Sequence, residues 1–290
     1  MQTMKKSLES YFGLQDRVAV ITGGGGDLCG CMAGALGGLG VRVAVLDLDF
    51  DKAKGRAESI RKAGGTAEAF ACNVLDEGQL RGVYARVCSL WNSPDLLING
   101  AGGNDPRGST TLEFLEAADL DQAERENIKH FLNLELAGFR ATFELNFLGT
   151  LLPTKVFSEG MIRKGRGSVL NISSLNALTP LTKIPAYSAA KAAVANFTRW
   201  LAVHFAHTGV RVNALIPGFF MTEQLRFLHV DQATEELTPR AKKAIAHTPM
   251  GRYGEPEDLL GAVIWLLSDA SSFVTGALIP IDGGFSSYSI

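Results

Sequence analysis

Short runs of β-branched and other apolar residues alternate along this chain with longer stretches whose apolar positions recur every three or four residues. The short runs predict strands at 17–22 (RVAVIT), 41–47 (VRVAVLD), 67–74 (AEAFACNV), 95–99 (DLLIN), 167–173 (GSVLNIS), 210–216 (VRVNALI) and 277–281 (ALIPI). The periodic stretches predict helices near 31–38, 51–63, 77–90, 141–164, 188–207 and 256–268. The first strands are nearly unbroken apolar runs, as expected where both faces of a sheet are covered. Strand and helix in regular alternation predict an α/β fold, a doubly wound parallel sheet with right-handed crossovers. No Pro/Gly/Ser-rich linker divides the chain and no internal repeat runs through it, so residues 1–290 read as one domain.

Two segments interrupt the alternation. Residues 103–140 are long and polar, with an acidic helical piece in LEFLEAADLDQAERENI. Residues 219–247 follow a strand and hold MTEQLRFLHVDQATEELTPRAKKAIAH. Loops of this length in a compact domain are usually functional or mobile. Both follow the carboxyl ends of strands, where open α/β sheets bind ligands.

Composition narrows the partners. Apolar residues make up 46% and charged residues 20% of 290, ordinary for a soluble globular chain with one sizeable core. A formal net charge of −2 gives no reason to expect nucleic acid or a membrane surface as partner. No apolar run reaches the ~20 residues of a membrane helix. The N-terminal MQTMKKSLESYF has two lysines but no apolar stretch after them, so it does not read as a secretory signal. Cysteines 29, 31, 72 and 88 form no C-x-x-C pair and have no histidine at ligand spacing. They are expected to be reduced structural thiols of a cytoplasmic protein, with no metal site, and Cys31 is expected on a buried helix face.

Candidate chemistry begins where the first strand runs into TGGGGDLCG. There Thr22, Gly23, Gly24, Gly25, Gly26, Asp27 and Leu28 lead into a helix. Consecutive glycines allow a backbone to approach a pyrophosphate, and the helix N-terminus offers it free N–H groups. The alternative is a merely flexible turn. Asp47 ends the second strand, where a carboxylate accepts from an adenosine ribose and repels a 2′-phosphate; residue 48 is leucine, not a cation. NAD is therefore expected over NADP. The alternative for Asp47 is a helix N-cap, a task Asp49 could fill equally well. Tyr187 and Lys191 stand four residues apart, one helical turn, so a phenol and an ammonium address one space. The lysine is expected to favour the phenolate. Ser174, thirteen residues before the tyrosine, sits at a strand end where it could hold a carbonyl oxygen.

With the glycine loop, Asn99-Gly100-Ala101-Gly102, Ser174, Tyr187 and Lys191 in this order, the chain resembles the short-chain dehydrogenase/reductase family from about residue 14 to 288. The resemblance implies a Rossmann-type fold and assigns roles. Tyr187 is the acid/base. Lys191 holds the nicotinamide ribose and lowers the tyrosine pKa. Ser174 binds the substrate oxygen, and Asn146 fixes a proton-relay water. Pro217, Gly218 and Thr222 line the nicotinamide carboxamide. Asn99 to Gly102 lie beside the adenosine ribose. Asn73 and Val74 stand where the family usually places Asp-Val against adenine. Two departures concern the cofactor. Asp27 and Cys29 replace the loop's second and third glycines, and Gly100 replaces a more usual asparagine. Asp27 brings a carboxylate toward the expected pyrophosphate, and its side chain is expected to cap the helix instead.

Within the family, NGAGGNDP, FELNFLGTLLPTKVF, NISSLNALTPLTKIPAYSAAKAAVANF, IPGFFMTEQ and AHTPMGRYGEPEDLLGAVIWLLSDASSFVTGALIPIDGGFSSYS resemble the fructuronate reductase, or D-mannonate oxidoreductase, branch. That implies an NAD-linked interconversion of secondary alcohol and ketone on a sugar acid, by a homodimer or homotetramer. A substrate carboxylate wants cations or clustered donors. Lys183, four residues before Tyr187, is a candidate, with Asn104 and Asn176 as amide contacts to hydroxyls. Arg226, Arg240 and Arg252 are further cations that could equally be solvated surface charges. Two alternatives stay open: a gluconate dehydrogenase or 3-oxoacyl reductase of the same family, and a dinucleotide-binding protein without turnover.

Overall fold

The computed structural model describes residues 8–122, 127–231 and 234–289. The first residues of the N-terminal stretch, part of the acidic piece of the first insertion, and residues 232–233 of the second lie outside the described residues.

After a short helix α1 (Leu8–Phe12), the chain runs β1 (Val18–Thr22), α2 (Asp27–Gly38), β2 (Arg42–Asp47), α3 (Phe50–Lys62), β3 (Thr66–Ala71), α4 (Glu77–Trp91) and β4 (Leu96–Asn99). The first insertion carries α5 (Ala117–Gln122) and leads into α6 (Leu136–Phe143), a π-helical turn (Glu144–Leu148) and α7 (Gly149–Lys164). Then follow β5 (Gly167–Ile172), α8 (Pro185–His204), β6 (Val210–Pro217), α9 (Glu223–His229), α10 (Pro239–Ala246), α11 (Leu260–Leu267) and β7 (Leu278–Ile281). The seven strands form one sheet in the order β3-β2-β1-β4-β5-β6-β7, and every pairing is parallel. All seven predicted strands are present, and the α/β doubly wound architecture is the one expected.

Alternate residues of each strand feed two cores. Ala19 and Ile21 of β1, with Val43 and Val45 of β2, pack against Met32 and Leu36 of α2 and Val263 and Leu266 of α11. Val18 and Val20, with Ala44 and Leu46, pack on the other face against Leu80, Val83 and Val87 of α4 and Val156, Phe157 and Met161 of α7. A period of two in the sequence thus becomes a sheet buried on both sides.

The largest differences from the sequence reading fall among the helices. α2 begins at Asp27, four residues before the predicted start, because the glycine run masks its first turn. The predicted 141–164 helix is interrupted by the π turn, which inserts an extra residue where Asn146 points inward. Among the described residues, no helix is long and apolar enough to cross a membrane.

Candidate active site

The sheet order reverses between β1 and β4, and the candidate residues gather at the carboxyl ends beside that switch point. Thr22 closes β1 and is buried; its Oγ1 accepts from the Gly100 N–H at 3.1 Å and the Ala101 N–H at 3.3 Å. This ties the glycine loop to the loop after β4. Gly23 then turns with φ +64°, and a Cβ there would lie 3.0 Å from the Ala101 backbone. Asn99 is buried, donating to Thr154 Oγ1 at 2.7 Å and Asn171 Oδ1 at 2.8 Å, so it braces the sheet from beneath.

The loop amides are well accounted for. Gly24 donates to Leu46 O at 3.0 Å, Gly25 to Asp47 Oδ2 at 3.0 Å and Gly26 to Gly23 O at 3.1 Å. No side chain caps α2, whose N-cap is Gly26. Its first amides and its dipole therefore form an anion-binding end, and Leu28 anchors that turn against the core. Asp47 Oδ1 also accepts from the Asp49 N–H at 3.0 Å, while Asp49 itself caps α3 through the Asp51 and Lys52 amides. Asp47 is thus no helix cap. It braces the glycine loop and keeps lone pairs for a ribose. Asn73 Oδ1 closes a local turn with the Leu75 N–H at 3.0 Å, and Val74 is buried against Gly149.

Two sequence expectations are corrected here. Asp27 does not cap α2; its Oδ2 accepts from the Glu223 N–H of α9 at 2.7 Å. The local rule failed because the cap position is Gly26, and Asp27, one residue into the helix, is engaged by a helix 196 residues further on. Cys31 is only half-buried, its thiol 3.8 Å from Glu257 Oε1, whereas Cys29 is the buried one. Burial pushes the Cys29 thiol up to about 12, so it is an inert thiol at neutral pH. A Cβ on Gly100 would overlap Cys29 Sγ. The departures at 29 and 100 are therefore one exchange of volume between the first turn of α2 and the loop after β4.

The chemical half is built on β5 and α8. Pro185 opens α8 at a position that suits proline, and Lys191, one turn after Tyr187, has its Nζ 5.5 Å from the Tyr187 ring centroid. Lys191 is buried, donates to Ile172 O at 2.9 Å, and is pulled by burial from 10.5 to about 8. Burial also raises Tyr187 above its ordinary value, while the hydrogen bond with Ser174 acts the other way. Loss of solvation sets the direction at Tyr187, and the expected lowering by Lys191 is not among the influences that act on it here.

Ser174 follows β5, and its hydroxyl accepts from the Asn176 N–H at 3.3 Å and from Asn176 Nδ2 at 3.2 Å. Asn176 Oδ1 in turn accepts from the Leu181 N–H at 3.1 Å and Ser188 Oγ at 2.8 Å. Sequence reasoning made Asn176 a substrate contact. Its amide is instead engaged within the protein and orients Ser174. Asn146 Nδ2 donates to Gly103 O at 2.6 Å and Thr142 O at 2.7 Å, and its buried Oδ1 has no hydrogen-bond partner. A Cβ on Gly102 would lie 2.6 Å from that oxygen and 3.3 Å from Lys191 Nζ, so the close approach there needs glycine. Asn146 and Lys191 thus face one small polar space.

Pro217 ends β6, and Gly218 packs so closely on Asp282 that a Cβ would lie 2.6 Å from its Cα. Thr222 Oγ1 caps α9 by accepting from the Leu225 N–H at 3.2 Å. Asn104 Nδ2 donates to Ser109 Oγ at 2.8 Å, and its buried Oδ1 has no partner. Lys183 lies before α8 begins, with φ +74°, its carbonyl accepting from the Thr110 N–H at 2.8 Å. It lines a cavity of about 590 Å³ with Asn176, Ser188 and Phe131, and neither Tyr187 nor Ser174 lines that cavity. Helical spacing was a poor guide to Lys183, which stands outside α8 and lines this cavity beside Asn176 and Ser188. Arg252 is paired with Asp258 at 2.7 Å, whereas Arg226 lies exposed on α9 and Arg240 at the start of α10.

A glycine cradle at an uncapped helix N-terminus, an acidic residue at the end of β2, and an unpartnered amide oxygen beside Lys191 suit a dinucleotide. A profile described as short chain dehydrogenase matches residues 17–233. An uncharacterized oxidoreductase of Haemophilus influenzae is 45% identical over 277 residues, covering 95% of each chain. Another from Bacillus subtilis is 45% identical over 277 residues, covering 95% of this chain and 97% of its own. The crystal structure of a provisionally named D-mannonate oxidoreductase from Haemophilus influenza, with bound NAD, is 44% identical and superposes with a TM-score of 0.90, covering 98% of this chain and 99% of that one. The chain belongs to the short-chain dehydrogenase family of oxidoreductases.

Proposed function

We propose that the protein interconverts the secondary alcohol and ketone of a sugar acid, D-mannonate and D-fructuronate, with Asn146, Ser174, Tyr187 and Lys191 as its catalytic set. The observation that carries the chemistry is the polarity of Ser174. Its oxygen accepts two bonds from Asn176, so its own O–H is the donor, aimed at the Tyr187 oxygen with which it is hydrogen-bonded. That donor and the Tyr187 phenol can hold one substrate oxygen between them. The cofactor is NAD, which when bound supplies the hydride for the carbon. Tyr187, raised by burial, is a protonated phenol at neutral pH and can give the alkoxide its proton as charge develops. Lys191 and Asn146 line the space behind it, where a water could return the proton.

The sugar-acid substrate is supported by the likeness to the provisionally named D-mannonate oxidoreductase, 44% identical over nearly the whole chain. The departures that favoured binding without turnover have structural employment, Cys29 filling the room at Gly100 and Asp27 turned toward α9. A cytoplasmic location belongs to the same proposal and suits four free cysteines. So does a homodimer or homotetramer, for which Trp200 and Val203 of α8, 57% and 78% exposed, offer an apolar face.

The test is a spectrophotometric screen with NADH and NADPH against D-fructuronate, 5-keto-D-gluconate and a 3-oxoacyl thioester. D-fructuronate with NADH should give the highest kcat/KM. A higher value on either other ketone would replace the substrate assignment, and no turnover on any ketone despite NADH binding would overturn catalysis.

A further inference from the structure

We propose that Asp27 is a positioning residue that fastens α9, in the insertion after β6, to the cofactor loop, so that dinucleotide binding and docking of that helix favour each other. Asp27 is the first residue of α2, at the helix end whose amides suit a phosphate, yet its carboxylate is drawn across to the Glu223 N–H of α9 at 2.7 Å. Glu223 directly follows Thr222, whose hydroxyl caps the same helix. Two of the amides that α9 leaves open at its start are therefore satisfied, one from within and one by the glycine loop. The far end of α9 is held separately: His229 is buried, with Nδ1 2.7 Å from the Tyr253 hydroxyl. Asp27 thus joins the second insertion to the phosphate end of the cofactor site.

The charge of Asp27 gives this contact a sign. A free carboxylate at the start of α2 opposes a bound pyrophosphate. Held by the Glu223 N–H, it is turned toward α9 and part of its charge is answered by a charge-assisted hydrogen bond. Undocking α9 would release the carboxylate to face the phosphates. A bound dinucleotide therefore favours the docked helix, and by reciprocity the docked helix favours the dinucleotide. The affinity half of this inference rests on NAD being the cofactor; the contact between Asp27 and α9 does not.

Two variants separate the roles. In Asp27→Asn the amide oxygen can still accept from Glu223 while the charge is gone; in Asp27→Ala both are lost. Amide hydrogen exchange over 223–229 in the cofactor-free protein should be slow in the parent and in Asp27→Asn, and roughly 10-fold faster or more in Asp27→Ala. Fluorescence titration should show NADH bound about 3- to 10-fold more tightly by Asp27→Asn than by the parent, a gap that narrows at high salt. NADH should slow exchange over 223–229 in the parent more than in Asp27→Asn. Equal exchange in Asp27→Ala and the parent, or equal exchange in the two variants, would overturn the fastening role. Unchanged NADH affinity in Asp27→Asn would overturn the coupling. A parent that binds no NADH would instead overturn the cofactor reading, leaving the exchange result to judge the contact alone.

Discussion

Lys191→Met should give a protein that is inactive yet no less stable at neutral pH. Lys191 is 4% exposed, and burial pulls its ammonium from 10.5 to about 8. At about 1.4 kcal/mol per pH unit, holding that charge at neutral pH costs about 3 kcal/mol. In the unfolded chain the lysine stays protonated up to its ordinary value; in the folded chain the proton leaves near 8. Between those values the unfolded chain binds more protons, so stability rises with pH there. The penalty is complete below about pH 8 and disappears toward 10.5. Methionine removes the charge but leaves Ile172 O without the donor now 2.9 Å away, a loss of about 1–3 kcal/mol. At pH 7 the variant should therefore match the parent or exceed it by up to about 2 kcal/mol, and near pH 10, where about 1 kcal/mol of the penalty remains, it should match the parent or be the less stable by up to about 2 kcal/mol. Urea denaturation of both cofactor-free proteins across that range measures the swing, and the parent-minus-variant difference cancels other titrating groups. Stability curves that run parallel with pH would refute the reasoning, since a solvated lysine would produce them.

Tyr187→Phe keeps the ring and removes the proton, so turnover should fall at least ~100-fold while NADH affinity, read by fluorescence, changes little; near-normal turnover would reject the acid/base assignment. The parent should prefer NADH over NADPH by at least ~10-fold in kcat/KM, a preference that Asp47→Ala and Asp47→Asn should both narrow, since either removes the charge that repels a 2′-phosphate. Asp47→Asn can still accept from Gly25 or Asp49 and should melt higher than Asp47→Ala, which leaves both amides unanswered. Equal use of NADPH by the parent would sink the cofactor argument.

What the sequence made legible follows from how local each cause is. Strand positions were readable because burial on both faces writes a continuous apolar run, as in VAVIT and VAVLD. The Tyr187–Lys191 pairing was readable because one helical turn fixes it. Lys183 stands two residues before α8 begins, in a left-handed backbone conformation, so helical spacing could not say which side it faces. The π turn at 144–148 was hidden because Asn146 is held by the carbonyls of Thr142 and Gly103, and the second of these comes from the loop after β4. Asp27 and Cys29 looked like two departures from a loop pattern. Their partners, Glu223 and Gly100, lie 196 residues away in one case and 71 in the other, after the neighbouring strand β4, beyond any local pattern.

The bracing of the site explains why its chemistry depends on the whole fold. Ser174 has its acceptor positions filled by Asn176, which leaves the hydroxyl proton to donate. Asn146 has its amide hydrogens taken by two carbonyls, which leaves Oδ1. Lys191 gives one hydrogen to Ile172 O, which leaves the rest of the ammonium. In each case the brace engages one part of the group and leaves another for the site. The Ser174 and Lys191 braces come from the loop after β5 and the end of β5 itself; those of Asn146 come from α6 and the loop after β4. No single element carries the site, so it forms only when the sheet's central strands are in register. The buried ammonium and the unpartnered amide oxygen both weigh against stability. The two apolar cores on either side of the sheet are what allow the chain to keep them there.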